Sequence, residues 1–406
     1  MMSVFELRSP LSAEERLEKR RLILRDVTAM LSLFAITATL AVLTYFLFNS
    51  FSRHREELAQ RWLLRGEAAI NNGHPEQAIQ ALRSALEYEP AQRPADMQLQ
   101  RKTEIELATA LAAAGHDVEA TAYFNTLLEA EPGNGLINLQ LARLAVKQSH
   151  EAEAVESYQR ALDGTWQGDG YERRLHVRLE LARYLLSRHE TWRARGELVT
   201  AAGNAPDDAN VKLEIAGLLE EAQDPQSAFE IYRRLTLNRP ARLEALEGSG
   251  RTAAVQGRYL LAREYLTRAL NDPTLESRPA ERDAVRNSLA EAVHLLALYP
   301  GPELNPRARA ERIRHNVETA RARMTDCSAG VVAPSASALA NLATRWQQAP
   351  MNMTARALED DPELEQTLMT LVYDTERVTT QICGKPTGED ALLLKIAQAP
   401  WAVVQP

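Results

Sequence analysis

Residues 175–206, LHVRLELARYLLSRHETWRARGELVTAAGNAP, are followed at 209–240 by ANVKLEIAGLLEEAQDPQSAFEIYRRLTLNRP. Laid over each other at an offset of 34, Leu181, Ala182, Leu185, Ala194, Leu198, Ala201 and Pro206 fall on Ile215, Ala216, Leu219, Ala228, Tyr232, Leu235 and Pro240. The helical spacing of these apolar residues predicts two amphipathic helices per unit, with a proline to stop the second. One such hairpin cannot bury its own apolar face, so the pattern demands stacked copies.

The same phase extends outward in both directions. A first unit from Ala59 has Trp62, Gly66, Gly73, Ala78, Leu82, Ala85 and Pro90. The second has Leu107, Ala108, Leu111, Gly115, Ala120, Phe124 and Pro132; the third has Leu141, Ala142, Ala154, Tyr158 and Ala161, with Trp166 in the place of the proline. After the two quoted units comes a sixth, Gly250, Gly257, Ala262, Leu266, Ala269 and Pro273. Wider gaps between prolines predict insertions near 91–100 and 167–174. Residues 280–299 and 305–324 read as two more helices, a further hairpin or a cap.

This series resembles the tetratricopeptide repeat family over residues 59–274. The resemblance implies an all-α solenoid of helical hairpins. Small residues at the eighth and twentieth positions let paired helices approach, and large apolar ones fill the gap between them. It also implies a concave groove lined by the second, fifth, ninth, twelfth and thirteenth positions of each first helix. Carried over, these are Lys102 and Ile105, then Leu139, Arg143, Val146 and Lys147, then His176, Leu179 and Arg183. Asn210, Leu213, Glu220 and Arg251 complete the set. Such a groove, apolar and basic at its middle, suits a polypeptide segment with some acidic character. The lysine–asparagine carboxylate clamp of the chaperone-binding subclass is absent, because Leu63 and Glu67 stand at two of its positions.

Upstream of the repeats, Val27 to Ser52 contains no charged residue. As a helix it would reach roughly 39 Å at ~1.5 Å per residue, enough for a hydrocarbon core of about 30 Å. Tyr45, Phe46, Phe48 and Phe51 gather at one end, as an interfacial aromatic belt requires. The apolar run is too long for a cleaved signal, and Asn49-Ser50-Phe51-Ser52 makes a poor cleavage site. An uncleaved anchor is expected, with a capped, charged juxtamembrane helix starting near Ser12. Six basic residues precede the span (Arg8, Arg16, Lys19, Arg20, Arg21, Arg25) and four follow closely (Arg53, Arg55, Arg61, Arg65). That bias places the N-terminus in the cytoplasm and the rest in the periplasm or another extracytoplasmic space. The expected divisions are 1–26 juxtamembrane, 27–52 membrane helix, 53–274 repeats, 275–326 an added hairpin, and 327–406 a C-terminal helical segment.

Within that last segment Gly330 to Ser337 reads as a linker. Leu339, Leu342 and Trp346 mark a short helix ended by Pro350. Asp361 as N-cap and Pro362 as first residue open a longer one, striped by Leu364, Leu368, Leu371, Thr375, Val378 and Ile382. Cys383-Gly384 ends it, and 389–397 forms a last helix. The only cysteines, Cys327 and Cys383, pair in an oxidising compartment or remain two separate buried thiols.

The composition excludes several functions. A net charge of −8, with 41 Arg and 6 Lys scattered rather than blocked, argues against nucleic acid. No cysteine motif of zinc or haem type occurs, nor HExxH, GxSxG, a Walker loop or GxGxxG. His74, His116, His150 and His189 fall at successive intra-hairpin turns, where a tolerated polar residue explains them better than a metal edge. About a hundred residues beyond the repeats are too few for the glycosyltransferase domain that some repeat proteins carry. The expectation is a non-enzyme without cofactor or metal: an anchored interaction scaffold or assembly factor. The alternative is a permanent structural subunit of an envelope export, secretion or polysaccharide complex.

Overall fold

The computed structural model describes residues 13–88, 94–237, 242–330, 336–350 and 354–399. Expectations resting on Ser12, Pro90 and Pro240 lie outside the described residues. Among the described residues all named elements are helical, apart from a single bridge between Asn134 and Thr165. The chain divides into two compact units, 1–168 and 169–406, a division that falls inside the stretch the repeats occupy.

In the first unit, α1 (Ala13–Asn71) runs unbroken from the charged N-terminal stretch through the apolar segment into the first repeat. The boundaries expected at 26/27 and 52/53 therefore fall inside one helix, because nothing between Arg53 and Leu58 breaks it. Its apolar stretch is fully exposed, whereas Ala59 and Leu63 near its C-terminal end are buried. There α1 packs against α2 (Pro75–Tyr88). Two hairpins follow, α3 (Pro94–Ala114) with α4 (Asp117–Ala130), and α5 (Gly135–Lys147) with α6 (Glu151–Asp163). Most of the insertion expected at 91–100 is the first two turns of α3. One apolar core joins the hairpins, with Leu82, Leu107, Leu111, Phe124 and Ile137 essentially sealed from solvent. Trp166 donates its indole N–H to Ala161 O at 2.9 Å and covers Gly135, where any Cβ would collide with the ring. The missing proline is thus replaced by a packed cap.

The second unit contains three more repeat hairpins. They are α7 (Gly170–Ser187) with α8 (Thr191–Gly203), α9 (Ala209–Glu221) with α10 (Pro225–Leu235), and α11 (Arg242–Val255) with α12 (Tyr259–Leu270). The insertion expected at 167–174 is largely an early start of α7, capped by Asp169. After a 3-10 turn, Pro273–Ser277, come α13 (Pro279–Leu298) and α14 (Pro306–Gly330). α15 (Ala336–Gln348), α16 (Ala355–Asp360), α17 (Pro362–Cys383) and α18 (Gly388–Ala397) complete it. The expected start of α17 is observed: Asp361 accepts from the N–H groups of Glu363 and Leu364, each at 3.1 Å. The 326/327 boundary cuts α14, which runs on through Cys327 to Gly330. α13 to α18 share a core of Leu295, Ile313, Trp346, Leu368, Val372 and Ile396, so the C-terminal helices are a packed layer. Cys327 and Cys383 come together as a disulfide, their Cα atoms 5.7 Å apart, joining the ends of α14 and α17.

All six repeat hairpins turn the same way. Gly73, Gly115, Ser149, His189, Gln223 and Gly257 each adopt positive φ, between 58° and 87°. The next residue in every case donates its N–H to a carbonyl five residues back, as His74 does to Ala69 and Arg258 to Ala253. A left-handed residue here satisfies the last carbonyls of the first helix and reverses the chain.

Candidate binding faces of the repeat hairpins

In each of the two units, the first helix of every hairpin carries the residues expected to meet a ligand. In the first unit, Lys102 on α3 reaches Glu67 on α1 at 2.6 Å. Burial, with Glu67 adding to it, pushes the neighbouring Glu106 carboxyl up, while Lys102 pulls it down. Ile105 is half-buried. On α5, Arg143 is exposed and Val146 half-buried. Lys147 donates to Asp117 Oδ1 at 2.7 Å and to Ala112 O at 3.2 Å, which ties α5 to the preceding hairpin.

In the second unit, His176 is exposed with Glu172 one turn before it at 3.9 Å. Arg183 on α7 pairs with Glu214 on α9. Asn210 is exposed at the start of α9, its backbone N–H capped by Asp208, and Leu213 is half-buried. Arg251 on α11 grips both carboxylate oxygens of Glu220, at 2.7 and 2.8 Å, and the Tyr232 hydroxyl donates to the same carboxylate at 2.8 Å. That carboxylate pushes the Arg251 guanidinium up. Burial first and then Glu220 push the Tyr232 phenol up. This three-member network links α9, α10 and α11.

Two expectations change in light of these contacts. Leu139 and Leu179 are only 7% and 2% exposed. At these two fifth positions the apolar side chain enters the seam between helices, whereas Ile105 and Leu213 at the same position of other hairpins stay half-buried. These two residues support the floor and do not touch a ligand as placed. Likewise the inner faces are not simply basic: Lys102, Lys147, Arg183 and Arg251 each have an acidic partner on another helix. The sequence pattern places Glu220 in the groove and Glu67 at a clamp position without pairing either, and it does not single out Asp117 or Glu214. The signal lies in the spacing, for Arg183–Glu214 and Glu220–Arg251 are both 31 residues apart, one repeat less a helical turn. The more exposed of these pairs, such as Arg183–Glu214, contribute only about 0–1 kcal/mol each.

Among the described residues no group of three or more His, Cys, Asp or Glu is placed to hold a metal ion. His116 instead meets Glu76 at 3.2 Å and His150 meets Glu153 at 3.4 Å.

The tetratricopeptide repeat family model matches residues 59–92, the first of these hairpins. The five hairpins that follow repeat its packing positions, so the fold is a tetratricopeptide-type solenoid of helical hairpins. No curated protein matches the chain. Similar solved structures include YrrB, described as a repeat protein with an unusual peptide-binding site, at 17% identity. It aligns over 46% of this chain and 90% of its own, with a TM-score of 0.35. Pseudomonas aeruginosa PilF aligns at 20% identity over 58% and 99%, with a TM-score of 0.38. PilW, a type IV pilus biogenesis factor, aligns at 16% identity over 58% and 98%, with a TM-score of 0.37.

Proposed function

We propose that this chain is a membrane-anchored scaffold or assembly factor that holds a partner polypeptide outside the cytoplasmic membrane, its N-terminus remaining inside. The observation that carries this reading is α1. Its exposed large apolar residues run from Leu17 through Phe34 and Leu40 to Phe51, a surface that a water-soluble helix does not sustain. The same helix becomes the first repeat helix without a break, so the anchor sets the direction of the first hairpin rigidly. The basic bias before the span and the Cys327–Cys383 pairing favour the extracytoplasmic side for the repeats.

The partner contacts are assigned within each unit: to Arg143 and Lys147 with Lys102 and Ile105 beside them in the first, and to His176, Arg183, Asn210 and Arg251 with Leu213 beside them in the second. Because most of the cations already have acids, the fitting partner is an amphipathic segment whose carboxylates exchange with Glu214 or Glu220. Topology reporters at both termini test the orientation: an N-terminal reporter active outside refutes it. Pull-downs with the full chain carrying Arg183→Glu and Arg251→Glu test the faces. Loss of a partner that the wild type retains is expected, and unchanged retention removes these faces from the binding site.

A further inference from the structure

Beneath the disulfide, three helices of the second unit converge on polar atoms that lack partners. Glu376, midway along α17, is 0% exposed, and neither of its carboxylate oxygens is hydrogen-bonded. One turn on, the Thr380 hydroxyl is buried and unpartnered, as are Asp390 Oδ1 in the first turn of α18 and Arg323 Nε on α14. A buried carboxylate without hydrogen bonds is among the costliest arrangements a core can hold, while the carboxylic acid is far cheaper.

The covering element is α18, which packs Leu393, Ile396 and Ala397 into the core formed with α13, α14 and α17. It is attached through a short loop whose ends, Gly384 and Gly388, both have positive φ. Arg323 holds one end of that loop by donating to Gly384 O at 2.8 Å, and Cys383 beside it is bonded to Cys327, one turn beyond Arg323. The disulfide therefore fixes where the loop begins and leaves α18 to open or close beyond it.

We propose that α18 is a proton-controlled latch, closed over Glu376 while that carboxyl is protonated and released as it ionises. Two carboxyls, Glu376 and Asp390, share the pocket with the single guanidinium of Arg323, so both cannot ionise there without an unbalanced buried charge. Burial and then Asp390 raise the Glu376 carboxyl to about 8, against the pull of Arg323. Burial raises Asp390 too, with Arg323 opposing and Glu389 and Asp326 adding to it. The other charged groups around α17 are engaged elsewhere. Arg345 of α15 pairs with Asp374 at 2.8 Å, Arg309 of α14 with Glu365 at 3.5 Å, and Arg377 with Asp374 and Ala397 O. α16 contributes the buried Leu358 and keeps Arg356, Glu359 and Asp360 exposed. α18 itself is also held by His315–Glu389 at 2.9 Å and by Lys395–Glu291. Release would uncover the apolar face of α18 and the core beneath it.

The test is hydrogen exchange of residues 388–397 in the detergent-solubilised full chain with its disulfide intact, corrected for the intrinsic pH dependence of exchange. Opening of α18 is expected to rise about tenfold per pH unit between 5.5 and 7.5, roughly 100-fold in all. Glu376→Gln, and Glu376→Met as a second replacement, should flatten that slope while α18 stays protected. His315→Gln should leave it unchanged. A flat wild-type profile overturns the proposal, as does a slope that survives in either folded Glu376 variant or disappears in His315→Gln.

Discussion

Glycine at two helix interiors of the second unit provides a paired test of the repeat packing. Gly248 on α11 lies under the Tyr232 ring, and a Cβ built there would stand 2.6 Å from ring carbons. The ring cannot simply retreat, because it is 4% exposed and its hydroxyl is fixed on Glu220, which Arg251 holds from the other side. Gly196 on α8 is the opposite case, exposed and with nothing within 4 Å of a Cβ. In open helix, Gly→Ala stabilises by about 0.8–1 kcal/mol through backbone entropy. Overpacking a fixed core costs about 1–3 kcal/mol, from which the same helical gain must be subtracted. Gly196→Ala should therefore stabilise by roughly 1 kcal/mol and Gly248→Ala destabilise by up to about 2, a separation on the order of 1–3 kcal/mol. In a unit of this size that is roughly 2–12 °C in midpoint, readable from far-UV thermal melts of the detergent-solubilised chain. Tyr232→Leu should relieve the clash, so Gly248→Ala in that background should cost less than in the wild type. Equal stabilisation by both alanines would refute the close approach of α10 to α11.

At the left-handed turn positions Ser149, His189 and Gln223, substitution by glycine should each raise stability by about 1 kcal/mol in melts, since only glycine adopts that backbone without strain. The pH dependence has a defined sign. The Glu376 carboxyl keeps its proton in the fold up to about 8 but only to about 4.5 when unfolded, so the stabilisation it contributes is fully present below about 4.5 and is lost as pH rises to about 8. The loss is on the order of 4–5 kcal/mol, and Glu376→Gln should abolish most of it in denaturant titrations at pH 5 and 8. Reducing Cys327–Cys383, which closes a loop of 56 residues' separation, should lower unfolding stability by about 4 kcal/mol in the chain-entropy model. An unchanged denaturation midpoint after complete reduction would contradict that assignment.

The repeat hairpins, their register and the capped start of α17 were legible in the amino-acid order. Small residues at Ala182 and Ala216, large ones at Leu198 and Tyr232, and Asp361 before Pro362 act within one hairpin or one helix turn, where sequence distance and spatial distance agree. The candidate site was only half legible. Lys102, Arg183 and Arg251 stand out as cations, but their acids lie 31 to 35 residues away, and only stacking reveals which charges meet.

Tertiary structure alone decided the rest. It buried Leu139 and Leu179, replaced a proline with Trp166 over Gly135, and fused the apolar segment to the first repeat as one helix. It also enclosed Glu376 among α14, α17 and α18, although in sequence it is one more polar residue beside an apolar stripe. Periodicity states which face of a helix is buried, whereas desolvation and ion pairing depend on what the opposing helix brings, and that is fixed only when the helices pack.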